Sequence, residues 1–315
     1  MAGTVWEIFG YRADDRSVEA LEAAASKQCP FLGETCEKTL SDGTVSGVCT
    51  IKPITSSPVI CCPIRLYADD YRILRDVADK AFGPGLPLAP GRQAVLRARR
   101  TRATTVAVFG KRWGGELRLP QKGGVGGYFV DWVLALLDDK GTLVEFVAIE
   151  VQTIDTTGNY RASRAGLLAE GRNIVRSDVG LNFENVSKRI LPQLIYKGQV
   201  LQREELCRKG LFFVCPSPVY QRIMRRLGGN EGLVRYTLQP ASITFMAYNH
   251  ADEPLIDGKT APLRLETDHS TTVYKVQEAF NNVTLPAENV YKDAISTALA
   301  SDSASGQQFL DYTPG

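Results

Sequence analysis

Histidine is almost missing from this chain. Only His250 and His269 occur in 315 residues, in unrelated contexts. A metal or acid–base centre built from converging imidazoles is therefore set aside. Long apolar runs are missing too: no stretch approaches the ~20 residues that span a bilayer. The opening MAGTVWEIFGY has neither a basic segment nor a long apolar core of the kind that directs secretion. A cytosolic location without membrane association is expected. No internal repeat is present, which sets aside solenoids and propellers. The net charge is only +2, so the overall balance does not by itself announce a nucleic-acid partner.

What is present fits a soluble globular protein: 44% hydrophobic and 23% charged residues. The length suffices for one large or two modest domains with a full core. Charge is unevenly placed. Between Gly91 and Gly115 lie seven cations (Arg92, Arg97, Arg99, Arg100, Arg102, Lys111, Arg112) and no acid. Arg222, Arg225 and Arg226 form a second cluster. Such patches can neutralise phosphates, or can simply be solvated helix faces.

Seven cysteines in a cytosolic chain point to metal ligands or free thiols over disulfides. Five are close in sequence: Cys29, Cys36, Cys49, Cys61 and Cys62. Four thiolates can close a tetrahedral site suited to zinc or a single iron ion. With Cys62 as the fourth ligand the intervening segments are six, twelve and twelve residues, which is not a paired CxxC spacing. Pro, Gly and Ser around them mark a loop-rich module that needs a staple. The alternative is that these cysteines serve as small buried apolar residues. Cys207 and Cys215 lie apart, and Cys215 in LFFVC reads as a strand residue of the core.

Periodicity predicts helices over Asp15–Lys27, with Val18, Leu21 and Ala25 on one face, and over Ala68–Phe82, with Tyr71, Leu74, Val77 and Ala81 in a stripe. A basic helix over Gly91–Arg102 precedes strands at Thr104–Phe109 and Glu116–Leu119. A helix begins near Tyr160. Asn185 is placed to cap another from Val186, with Pro192 kinking it. Gly210–Cys215 is a short apolar strand, and Tyr236–Val276 is strand-rich. The order describes an α/β fold with a central mixed β-sheet flanked by helices.

The most informative stretch is Tyr128–Asp155, YFVDWVLALLDDKGTLVEFVAIEVQTID. β-branched and aromatic residues fill Phe129–Leu137 and Leu143–Ile154, and Asp138, Asp139, Lys140 and Gly141 supply turn chemistry between them. This is a hairpin pattern. Side chains alternate along a strand, so Glu150 and Gln152 share a face with Phe146 and Ala148, while Val147, Ile149 and Val151 point into a core. A turn centred near Asp139 puts Asp131 roughly opposite Ala148, with Glu150 its opposite or diagonal neighbour about 5–8 Å away. Acids inside apolar runs need a cation partner. Two carboxylates so placed can share one hard divalent ion, which takes oxygen ligands. We read Mg²⁺ as that ion.

Collinear segments extend this reading over most of the chain: IFGYR, CPFLGETCEK, GVC and CCPIRLYADDY; then GGELRL, FVDWVLA and IEVQTIDTTGNYRA; then LNFENVSKRILPQLIYKG and KGLFFVCP. Together they resemble the NotI/EagI type of type II restriction endonuclease, and EagI more closely. The resemblance implies a PD-(D/E)xK nuclease core, an amino-terminal four-cysteine metal-binding module holding iron or zinc, a homodimer, and a GC-rich palindromic double-stranded DNA target with a CGGCCG core. It implies that Asp131 and Glu150 hold the catalytic metal, that Gln152 occupies the usual lysine position, and that Glu116 is a further acid of the site. It maps the cysteine ligands to Cys29, Cys36, Cys49 and Cys62. Cys61 is a departure, since the family motif has one cysteine before that proline.

The main-chain carbonyl of Val151, between Glu150 and Gln152, is a further expected Mg²⁺ ligand. Guanine is read best by Arg or Lys in the major groove. The expected DNA-binding residues are Arg161 and Arg164, after the catalytic strand, and Lys188 and Arg189, at the start of the capped helix. The expected organisation is a helical region with the four-cysteine module over 1–90, the nuclease core over 91–300, and a flexible tail over 301–315. Two rival functions use the same features: a structure-selective metal-dependent repair nuclease, and a non-catalytic, metal-stapled DNA-binding regulator.

Overall fold

The computed structural model describes residues 3–117, 129–282 and 287–300. The expected tail over 301–315 lies outside the described residues. The chain divides into two compact units, Met1–Phe280 and Asn281–Gly315. The boundary expected at residue 90 falls inside the first of these.

The chain begins with β1 (Gly3–Ile8), which turns directly into β2 (Tyr11–Arg12). Next comes α1 (Val18–Ser26), whose start is fixed by Ser17: its side-chain oxygen accepts the Ala20 N–H. The expected apolar stripe of α1 is not the buried one. Val18 and Leu21 are exposed, and Ala20 and Ala23 are buried. Two small side chains let this helix lie close to its neighbours, which larger residues on that face would prevent. Short strands β3 (Gln28–Cys29) and β4 (Glu34–Thr35) pair with each other; β5 (Val48–Pro53) and β6 (Val59–Ile60) complete an antiparallel sheet ordered β2-β1-β5-β6.

A 3-10 turn (Pro63–Tyr67) leads into α2 (Ala68–Phe82), where Leu74, Val77 and Ala81 are buried as expected. Asp69, Asp70 and Tyr71 have φ of 56°, 55° and 57°, so the regular helix starts after them. There follow β7 (Leu88–Pro90), α3 (Gly91–Thr101), β8 (Thr105–Gly110), β9 (Trp132–Leu137) and β10 (Leu143–Val151). Residues 116–117 form no strand, and the rest of the strand expected there lies outside the described residues. After β10 come β11 (Thr156–Asn159), α4 (Arg161–Leu168), β12 (Asp178–Leu181), a π-helical turn (Val186–Ile190) and α5 (Leu191–Leu201). The first unit continues with β13 (Leu211–Pro216), α6 (Ser217–Arg226), α7 (Gly229–Gly232), β14 (Ser242–His250), β15 (Leu263–Thr272) and α8 (Val273–Asn281), which runs to its end. The second unit contains α9 (Val290–Ala300), none of whose residues is buried.

Asn185 does not cap a helix with its side chain; its Nδ2 donates to Asp155 Oδ2 at 2.6 Å. Pro192 lies just after the change from the π-helical turn Val186–Ile190 to α5 within one continuous helical run, an irregularity of the kind expected around it.

The main sheet has seven strands in the order β15-β14-β13-β10-β9-β8-β7. It is mixed: β10, β13 and β14 run parallel, while β9 is antiparallel to both β8 and β10. Helices cover both faces. On one, α2 packs Leu74 and Val77 against Trp132, Leu134, Val147, Ile149, Phe212 and Val214. On the other, α5, α6 and α8 pack against Ala148, Leu211, Phe213, Ile243 and Phe245. Toward the β7 edge, Ala94 of α3 packs on Ala107, Ala135 and Leu137. The expected inward face of β10, Val147, Ile149 and Val151, is therefore correct.

A buried ion pair joins the amino-terminal sheet to the main one. Glu7 of β1 accepts from Arg65 Nε at 3.0 and 3.1 Å, from the Thr50 hydroxyl, and lies 3.2 Å from His250 Nε2 at the end of β14. Both Glu7 and Arg65 are wholly buried.

Candidate active site

The β9–β10 register fixes the site. Ala148 pairs with Val133 and Ile149 with Trp132, after an irregularity between Leu143 and Glu145 shifts the ladder. Continuing that register by one residue puts Glu150 opposite Asp131. The expectation that Asp131 faces Ala148 is thus two residues out, one because the Leu137–Leu143 pairing centres the turn at Lys140 and one because of the bulge, while the expectation of Glu150 as its opposite or diagonal neighbour holds. Asp131 precedes the strand proper, and its Oδ2 accepts the Val151 N–H at 2.7 Å. Next to it, Trp132 is buried between Tyr67 and Tyr71 at ring separations of 5.5 and 5.4 Å, and its Nε1 donates to the Tyr67 hydroxyl at 3.3 Å. Residue 110 must be glycine here: a Cβ would stand 2.2 Å from the Trp132 ring.

The two acids sit in different surroundings. Glu150 is buried, beside Phe213 of β13. Asp131 retains accessible surface toward a groove of about 870 Å³, which is also lined by Glu116, Arg112, Phe146 and Lys197. Enough protein surrounds its carboxylate for burial to raise its pKa, against the pull of the Val151 N–H and of Lys197. Glu150 is pushed up to about 7, by burial first and then by the negative charge of Asp131. The acids therefore feel each other.

Lys197 of α5 is the residue that sequence reasoning missed. Its Nζ lies 2.5 Å from Glu150 Oε2. The ammonium lowers the Glu150 pKa by its charge and by hydrogen bonding, but burial and the charge of Asp131 outweigh it. Two mostly enclosed carboxylates that share a single nearby ammonium are short of positive charge, and such a donor set fits a hard cation.

The other expected residues are placed as follows. Gln152 is half-buried, and its N–H donates to Val214 O at 3.0 Å, extending the β10–β13 pairing. Glu116 is exposed on the groove. Arg161 pairs with Asp42 and donates to Ser41 Oγ at 3.0 Å. Lys188 pairs with Glu184 at 2.6 Å and Arg189 with Asp155 at 3.1 Å, all four well exposed. Arg164 differs: its guanidinium donates to the Ser46 and Val45 carbonyls at 2.8 and 2.6 Å.

All seven cysteines are buried and free. Among the described residues, no three His, Cys, Asp or Glu side chains form a ready-made coordination sphere. The five amino-terminal thiols are nevertheless electrostatic neighbours: Cys29 is influenced by Cys36, Cys49 by Cys62 and Cys29, and Cys62 by Lys38, then Cys61, then Cys36. Burial raises Cys29 and Cys49, and pushes Cys62 up to about 11. Thiols are donors that suit a soft cation. Cys61 has a close charged neighbour: Lys38 Nζ lies 3.5 Å from its sulfur, 3.0 Å from its carbonyl and 3.2 Å from Val48 O.

A mixed sheet carries paired acids at adjacent strand ends, with basic residues nearby, an arrangement compatible with an enzyme acting on a phosphate backbone. A family model described as Restriction endonuclease NotI matches residues 7–225, more than half the chain and all of the residues above. The chain belongs to the NotI family of restriction endonucleases, type II enzymes that cut double-stranded DNA at specific sites. Membership sets aside the non-catalytic regulator. Comparison with curated proteins gives no match. Among the described residues, no helix is long and apolar enough to cross a membrane.

Proposed function

We propose that this chain is a Mg²⁺-dependent PD-(D/E)xK endonuclease of the EagI kind, cutting both strands of a GC-rich palindrome with a CGGCCG core as a homodimer. The observation that supports the metal-dependent part is the placement of buried Glu150 opposite Asp131, the pKa of each carboxylate raised by burial and that of Glu150 further by the charge of Asp131. The target and the dimer rest on the resemblance; a palindrome is matched by a two-fold assembly in which each subunit cuts one strand.

Asp131, Glu150 and the Val151 carbonyl would hold the ion, with Glu116 in its outer surroundings. Bound there, Mg²⁺ supplies acidification of a water molecule and polarisation of a phosphate oxygen. Gln152 positions the attacking water by a hydrogen bond; its amide neither titrates nor contributes charge. Arg161, Lys188 and Arg189 are the DNA contacts, each held in the free protein by an exposed acid that DNA can displace. Arg164 spends its guanidinium on the 45–46 backbone, so its contribution is to hold that segment in place.

Residues 1–90 carry a structural site for iron or zinc, with Cys29, Cys36, Cys49 and Cys62 as ligands, and 91–300 carry the catalytic core. Cys61 stays outside the ligand set, facing Lys38.

The test is cleavage of plasmid DNA in Mg²⁺ by the wild type, Asp131→Ala and Glu150→Ala. The wild type cuts, and both variants lose cutting while still binding the cognate site in Ca²⁺. Retained cutting by either variant removes that residue from the site.

A further inference from the structure

The position that supplies a lysine in related nucleases holds Gln152, so β10 brings no positive charge to the site. The charge arrives from elsewhere in the fold. α5 crosses the sheet face that carries Ala148 and Phe213, and it aims Lys197 at the carboxylates. The side chain is one-fifth exposed, lines the same groove as Asp131, and ends 2.5 Å from Glu150 Oε2. Among the described residues, it is the one cation whose charge is felt by both Asp131 and Glu150. The other groove cation with a defined pairing, Arg112, is held by Glu34 and Glu37.

We propose that Lys197 is a catalytic residue of the cleavage reaction, supplying from α5 the positive charge at the scissile phosphate that Gln152 cannot supply from β10. This rests on the two-carboxylate reading above. In the free protein the ammonium sits against Glu150, at the end of a side chain that keeps one-fifth of its surface exposed and lines the groove. A divalent cation attracted to the carboxylates repels the ammonium. A flexible four-carbon stem lets it swing into the groove, where a DNA phosphate would lie. In the reaction, a bond forms from a water oxygen to phosphorus as the bond from phosphorus to the leaving ester oxygen breaks. The water gives up a proton and the leaving oxygen takes one, giving a phosphomonoester and an alcohol. Negative charge grows on the phosphoryl oxygens as this happens, and a fixed cation there stabilises the transition state more than the bound substrate.

The competing role is passive: Lys197 would only neutralise Glu150 until metal arrives. The two roles differ at saturating metal. Single-turnover cleavage of a cognate duplex is measured across a Mg²⁺ titration for wild type, Lys197→Met, Lys197→Arg and Asp131→Ala, with Ca²⁺-supported binding measured alongside. As a catalytic residue, Lys197→Met lowers the saturated rate by about 10²–10³-fold. Binding in Ca²⁺ stays unchanged, and Lys197→Arg recovers at least about tenfold by restoring the charge. If Lys197→Met reaches the wild-type rate at saturating Mg²⁺, or Lys197→Arg is no better than Lys197→Met, the assignment is overturned. With Asp131→Ala inactive, the two-carboxylate site then still stands. Cutting by Asp131→Ala overturns both.

Discussion

Asp131 Oδ2 accepts a hydrogen bond from the main-chain N–H of Val151 at 2.7 Å. One strand's acid is thus tied to the residue that follows the other strand's acid, and the spacing of the two carboxylates is set by backbone. The same oxygen also satisfies a donor that would otherwise lack a partner in the ladder.

This gives residue 131 a structural duty separable from its chemistry. Asp131→Asn keeps an acceptor of the same shape and should melt close to the wild type. Asp131→Ala should lose about 1–3 kcal/mol by leaving the Val151 N–H unsatisfied. Neither should cut DNA. Thermal denaturation with a cleavage assay checks both halves; equal melting of the two variants would deny the clamp.

The cysteine module should separate by position. On the proposed ligand set, Cys36→Ser or Cys49→Ser should lower metal content and stability together, because metal binding and folding are coupled and both thiols are buried beside the core of Val5, Ile8, Phe9, Val48 and Ile51. Cys61→Ser should retain near one equivalent. Elemental analysis decides, with colour distinguishing iron thiolate from zinc. Metal-free protein in which Cys36→Ser is as stable as the wild type would leave only a thiol-rich loop.

Arg161 and Lys188 sit in exposed ion pairs of the kind worth at most about 1 kcal/mol, so DNA can displace their partners at little cost. Replacing either should cost about 1–3 kcal/mol at one base position if it reads guanine. Cleavage of a set of single-substituted sites measures this. A uniform loss across all sites would mark a phosphate contact.

Glu7 should make stability depend on acid pH. Burial alone would raise its carboxyl, but the Arg65 guanidinium, then His250, outweigh burial and hold it down at about 2, against 4.5 ordinarily. A folded-state pKa below the unfolded one gives stabilisation that is complete above about 4.5 and is lost as pH falls toward 2. The shift corresponds to on the order of 3 kcal/mol at neutral pH. Glu7→Gln should therefore be much less stable than the wild type at pH 7, with the gap narrowing as pH falls through that window. Urea melts at several pH values check it; a constant gap would contradict the linkage.

The hairpin was legible because β-branched runs and a turn cluster are local signals, and the alternation along β10 correctly sorted core from site. The register was not, because the turn centres one residue later, at Lys140, and one bulged residue near Val144 adds a second shift, neither of which leaves a mark in composition. The face of α1 was misjudged because the buried side chains are alanines, while larger apolar residues point outward. Asn185 carried a capping signal that a tertiary contact with Asp155 puts to another use, while Pro192 lies beside the π-to-α change in its helical run. Lys197 was invisible as a site residue: nothing local connects a lysine on a helix to an acid on a distant strand, and only the crossing of α5 over the sheet brings them together. The same holds for Glu7, Arg65 and His250, three charged or polar residues from well-separated segments that meet in one buried cluster.

The central claim is tested most directly by digesting a sequenced DNA with the purified protein in Mg²⁺ and mapping the ends. The account predicts discrete fragments whose ends all fall at one GC-rich palindrome containing CGGCCG, and no fragments when EDTA removes the metal. Cutting that persists in EDTA, ends scattered without a common sequence, or a preference for flapped over perfect duplex DNA would contradict it.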